Sequence, residues 1–136
     1  MRRLASILFI LVAAGCGGDK STAPKRLEGT YTLRTVNGAQ PPVIVYDDPA
    51  SGQRGEIMSG SITLSSGGTF SSPWSFRITD NGTVGNYSET CTGTFTRTGN
   101  HIVMTEDDNQ SFCGGQYDGD WDGNDTFTEG NVVYSR

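Results

Sequence analysis

Residues 118–129 read DGDWDGNDTFTE and satisfy D-x-[DN]-x-[DN]-G-x5-E, the spacing by which a twelve-residue loop wraps calcium. A hard cation of that size collects six to eight oxygens. In this register Asp118, Asp120 and Asp122 would supply carboxylates, Gly123 the bend, Asn124 a carbonyl and Glu129 a bidentate carboxylate.

The context argues for a plainer structure. Position 8 is Asp125, where paired loops need an aliphatic residue, and the flanks CGGQY and GNVVYSR are glycine-rich or strand-like where an EF-hand needs helices. The same letters describe a hairpin, residues 116–121 and 126–128 crossing at 122–125, with Trp121 and Phe127 turned inward. A hairpin without metal is the expectation, and calcium held outside an EF-hand fold is the alternative. Between Arg97 and Arg136 stand eight acidic residues and no Lys or Arg. Carboxylates crowded in this way are either solvated or bridged by a cation.

Catalytic chemistry has little to work with. His101 is the only histidine and follows the Gly99-Asn100 turn signal at the head of a strand, so a zinc site of ordinary composition cannot be assembled. No G-x-S-x-G elbow presents a serine. Paired carboxylates abound, but a domain this small leaves little room for a sugar cleft. No enzymatic activity is expected, and no catalytic residue is assigned.

The elements that must position these residues read as strands. Helical spacing of apolar residues is never sustained for three turns, whereas alternation recurs: Phe70, Trp74, Phe76 and Ile78 share one parity, Ser71, Ser75 and Arg77 the other. Further strands are expected over 29–36, 43–46, 56–64, 85–97, 101–106, 116–121, 126–128 and 131–135. Between them lie Asn37-Gly38, Asn81-Gly82, Gly99-Asn100 and Asp122-Gly123, residues that tolerate positive φ in tight hairpins. Short strands with turns every eight to twelve residues imply an antiparallel barrel or sandwich. The order Cys91, Cys113, Trp121 disfavours the immunoglobulin type of β-sandwich, whose tryptophan lies between its cysteines.

The start of the chain has another character. In residues 1–15, MRRLASILFILVAAG, two arginines precede an apolar run too short to span a bilayer, which reads as an export signal peptide. Val12-Ala13-Ala14-Gly15-Cys16 resembles the bacterial lipobox, which implies cleavage before Cys16 and its acylation as a membrane anchor. Two or three acyl chains hold stably where one is marginal. Gly17 after the cysteine leans the resemblance towards the outer membrane of a bacterial envelope. Residues 17–25, GGDKSTAPK, form a flexible tether spanning roughly 16 Å, and 26–136 make one domain.

Without Arg2 and Arg3, eight basic residues face fifteen acidic ones, a surface unsuited to nucleic acid. With Cys16 committed to lipid, Cys91 and Cys113 remain as an even pair in an oxidising compartment, and a disulfide is expected. If residues 98–100 form a turn, Arg97 faces His101 and Cys91 falls opposite about Asp107. Direct pairing of 111–117 with 101–106 would hold Cys113 roughly 14 Å from Cys91, beyond the limit of about 7 Å for a bridge. Residues 107–115 therefore read as a loop pinned by Cys91 at one end of the fold.

Gly29-Thr30-Tyr31 followed by TLRTVNG resembles the G-x-W opening strand of the lipocalin and calycin barrels, and more closely the small lipocalin-like domains of bacterial lipoproteins. The last residues, VYSR, resemble their final strand. The resemblance implies an all-β, up-and-down barrel of about eight strands, in which Arg136 packs across Tyr31 to close it. Eight strands leave an interior wide enough for side chains or for one ligand. Tyr31, Leu33, Phe70, Trp74, Phe76, Ile78, Phe95 and Met104 are thus either the lining of a small hydrophobic ligand's cavity or the core itself. The expected function is a non-catalytic binding module held on a membrane, and the alternative is a protein-interaction lipoprotein with a filled barrel.

Overall fold

The computed structural model describes residues 25–107 and 113–136. The expected signal peptide, the expected lipidation site Cys16 and all of the expected tether but Lys25 lie outside the described residues. Nine strands and no helix make up the described chain: β1 Gly29–Val36, β2 Val43–Asp48, β3 Gln53–Leu64, β4 Thr69–Asp80, β5 Thr83–Thr98, β6 His101–Glu106, β7 Gly115–Trp121, β8 Thr126–Glu129 and β9 Val132–Ser135. They form one antiparallel sheet in the order β1-β9-β8-β7-β6-β5-β4-β3-β2. Pairing of β1 with β3 closes eight strands into an up-and-down barrel and leaves β2 as a ninth outside it.

Hairpin chemistry fixes most of the registers. Asp80 pairs with Thr83 across Asn81 and Gly82, whose φ angles of 47° and 82° are those an Asn-Gly turn adopts to match strand twist. The β5–β6 turn is one residue shorter than the sequence reading supposed. Thr98, not Arg97, pairs with His101, because Gly99 and Asn100 suffice for the reversal. The ladder therefore carries Thr92 past Asp107, whose amide donates to the Thr92 carbonyl over 2.9 Å. Strand β7 likewise begins at Gly115, within the expected loop, where it faces Glu106.

One end of the barrel is plugged. Tyr31, Phe127 and Tyr134 are fully buried there with Leu27 and Trp121, and the Tyr31 hydroxyl donates to the Leu27 carbonyl over 2.6 Å. The Arg136 guanidinium lies 4.6 Å from the centre of the Tyr31 ring and donates to the carbonyls of Glu28 and Asn124 over 3.1 and 2.9 Å. Arg97 covers the Trp121 ring at 4.7 Å in the same way. Each cation keeps its charge near water while its plane seals an aromatic face.

From the other end β3, β4 and β5 run on beyond the barrel, and β2 pairs with residues 53–57 of β3 to complete a four-stranded extension. Ile78 belongs to this extension. Its parity matches that of Phe70, but it stands 38% exposed rather than inside the barrel, because none of the described residues encloses β4 so far along. On the opposite face of the extension Arg77 donates two hydrogen bonds to Glu56, at 2.7 and 2.9 Å, and Arg54 one at 3.0 Å. These bonds, that from Arg77 foremost, hold the Glu56 carboxyl down at about 2.

Aromatic rings cover glycines inside the barrel. Trp74 lies over its cross-strand partner Gly60, and Phe70 over Gly93. At Gly93 a Cβ would come 2.1 Å from the Thr105 carbonyl oxygen and 2.9 Å from both the Glu106 Cα and the Phe70 ring. Backbone cannot yield there as a flexible side chain would. Gly93→Ala should cost about 3 kcal/mol or prevent folding, whereas Gly67→Ala, which meets nothing within 4 Å, should change stability by less than about 0.5 kcal/mol. Urea unfolding of the two variants measures both.

Candidate functional site

Above the plug the described residues leave part of the barrel unfilled. A cavity of about 250 Å³ extends from Ile62, Phe70, Met104 and Tyr134 at mid-barrel towards the end from which the extension projects. Of the residues expected to line it, Phe70, Trp74, Phe76 and Met104 do so. Tyr31 and Leu33 are buried in the packed core instead, Phe95 packs against that core, and Ile78 lies outside. Trp74 stands edge-on to Tyr134 at 6.2 Å and stacks with Phe76 at 6.3 Å, so one wall is aromatic.

The lining also contains three carboxylates that the sequence reading did not place there: Glu89, Glu106 and Glu129. Strand parity puts each of them inside. Glu89 has the parity of buried Cys91 on β5, Glu106 that of Ile102 and Met104 on β6, and Glu129 that of Phe127 on β8. Glu106 accepts a hydrogen bond from the Gly114 amide over 2.7 Å. Burial, reinforced by the charge of Glu106, raises the Glu129 carboxyl from 4.5 to about 7. The same burial pushes up the phenols of Tyr134 and, more weakly, Tyr117, with these carboxylates adding to the effect.

The disulfide stands at this end. Cys91 and Cys113 are bonded, with α-carbons 5.4 Å apart, and the bridge ties the segment after β6 to β5. Residues 108–112 of the expected loop lie outside the described residues. Cys91 lines the cavity, and the Glu89 carboxylate comes 3.9 Å from the Cys113 sulfur.

The five residues of the calcium spacing do not converge. Asp118 and Asp120 point outward from β7 with side chains 66% and 78% exposed, flanking His101 at 4.0 and 3.2 Å, while Glu129 turns into the barrel. Asp122 caps the turn instead: its Oδ1 accepts from the amides of Asn124 at 2.8 Å and Thr126 at 3.0 Å. These backbone donors, led by Thr126, hold its carboxyl below the usual range. Position 12 of a metal loop and positions 1 and 3 thus lie on opposite faces of one sheet. The hairpin reading describes the segment, with Trp121 paired to Phe127 and both buried. Asp125, the residue misplaced for calcium, meets Lys25 and Arg136.

No family model, curated protein or solved structure matches the chain.

The raised carboxyl has a consequence for stability. Folded Glu129 keeps its proton where the unfolded chain has released it, so this group's contribution is full below 4.5 and is lost as pH rises through about 7. Glu129→Gln should therefore unfold at higher urea than the parent at about pH 8, by about 2 kcal/mol after allowing for partial solvation. The two should converge at about pH 5.

Proposed function

We propose that this chain is an exported, lipid-anchored binding module of the bacterial envelope, with a lipocalin-like barrel that holds a small hydrophobic ligand. The observation that carries the reading is the cavity of about 250 Å³ behind an aromatic wall. A domain whose purpose was only to fold would gain by filling that volume, since empty space in a core forfeits dispersion contacts. The disulfide suits the oxidising compartment that the export signal implies. The anchor is Cys16, and the membrane is a partner only through it.

A second reading draws on the extension. Val45, Tyr46 and Tyr87, each about half exposed, border one groove there together with Ile78. Apolar side chains gathered in this way favour a protein-interaction lipoprotein that displays the extension to a partner.

Butylbenzene, a neutral probe of suitable size, should bind with a Kd of about 0.1 mM, alter Trp74 emission and raise the melting temperature by several degrees at large excess. Ile62→Phe, which narrows the cavity, should weaken this binding. An unchanged melting curve would turn attention to the extension. Independently, Cys16→Ser should move the protein from the membrane fraction to the soluble one and abolish incorporation of labelled palmitate; retention with label would sink the anchor.

A further inference from the structure

The cavity has a polar side that a purely hydrophobic ligand would leave unused. Glu89, Glu106 and Glu129 reach it from three different strands, and among the described residues its lining contains no Lys, Arg or His. The aromatic wall meets the same space, with Trp74 and Tyr134 set edge to face across 6.2 Å. Carboxylates beside π faces attract the same kind of group. An ammonium is drawn both to negative charge and to the electron-rich face of an aromatic ring, whereas an anion is opposed by both.

We propose that the barrel cavity binds a small apolar amine, with its hydrocarbon part between Ile62, Phe70 and Met104 and its ammonium among Glu89, Glu106 and Glu129. This rests on the preceding reading of the cavity as a ligand site and specifies the ligand's chemistry. The enclosed volume limits the guest to about one ring and a short chain, as a cavity of this size is filled by few non-hydrogen atoms. The partly enclosed setting strengthens the contact, because water does not screen it as it would on the surface.

Charge in the site depends on pH, and the groups facing Glu129 are Glu106 from β6, Glu89 from β5, Tyr117 from β7 and Tyr134 from β9. The tyrosines stay neutral near neutrality, since burial shifts both phenols upward. Raising the pH through about 7 ionises Glu129 and increases the negative charge offered to an ammonium. The guest, like a lysine side chain, keeps its own charge over that interval. Amine affinity should accordingly rise with pH, opposite to the stability that Glu129 contributes.

Isothermal titration of the full-length chain with 2-phenylethylamine, 2-phenylethanol and phenylacetate, at fixed ionic strength, tests the proposal. The amine and the alcohol have nearly the same shape, so their ratio isolates the charge. We expect the amine to bind at least about tenfold more tightly than the alcohol at about pH 8, the ratio to shrink several-fold at about pH 5.5, and phenylacetate to give no heat of binding. In Glu129→Gln the ratio should lose its pH dependence. Equal binding of amine and alcohol at both pH values would overturn the amine proposal while leaving a hydrophobic site intact. Absence of binding by all three would overturn both.

Discussion

The pairing of β1 with β3 is the constraint on which the rest of the molecule depends. Residues 61–64 of β3 take β1 as their partner and close the barrel, whereas residues 53–57 take β2 and leave it. The change occurs across a bulge between Ile57 and Ser59, which inserts Met58 and resets which side chains face inward. One strand thus belongs to a closed cylinder at one end and to an open sheet at the other. Closure satisfies the edges that an eight-stranded sheet would otherwise expose, and the departure of β2 creates a platform beyond the barrel's mouth.

The two ends of the cylinder consequently do different work. At the plugged end the rings of Tyr31, Phe127 and Tyr134 fill the interior, and the Arg136 and Arg97 planes cover Tyr31 and Trp121 from outside. Arg136 also joins residues at both extremes of the described chain, through the carbonyls of Glu28 and Asn124. Among the described residues the mouth end has no comparable plug. There Cys91 on β5 is bonded to Cys113, two residues before β7. A covalent tie at the rim and an aromatic plug at the base allow a cavity to persist in a domain small enough that packing alone leaves little stability to spare.

Much of this was legible from alternation and turn chemistry. The Asn81-Gly82 and Gly99-Asn100 signals locate true hairpins, the parity of Phe70 and Met104 points inward, and the spacing of the cysteines required Cys113 to lie off the β6 ladder. What failed to show was how far the enclosure extends. Ile78 has the correct parity, but parity states a face and not whether another strand stands opposite it. The hairpin reading of the calcium spacing follows from the same rule. A linear motif counts residues, and in a strand odd and even offsets go to opposite faces, so Asp118 and Glu129 cannot act together across β7 and β8. The signal for Glu129 was present in Phe127, two residues before it and recognisable as an inward residue. Glu106 could have been found in the same way from Met104.

Of those inward carboxylates, Glu129 is costly to the fold. A sequence selected for stability alone would place Gln, Thr or an aliphatic residue there, because burial opposes the charged form and the charge of Glu106 opposes it further. The shift of Glu129 to about 7 expresses that conflict. A group placed at the expense of stability is characteristic of sites that meet a ligand. Aromatic rings on the same wall are consistent with a cation rather than a metal ion, since a hard metal seeks oxygen and gains little from a π face. The acidic sequence that first suggested calcium therefore has two separate explanations: outward aspartates that stand in water or serve the β7–β8 turn, and inward glutamates that give the cavity its sign.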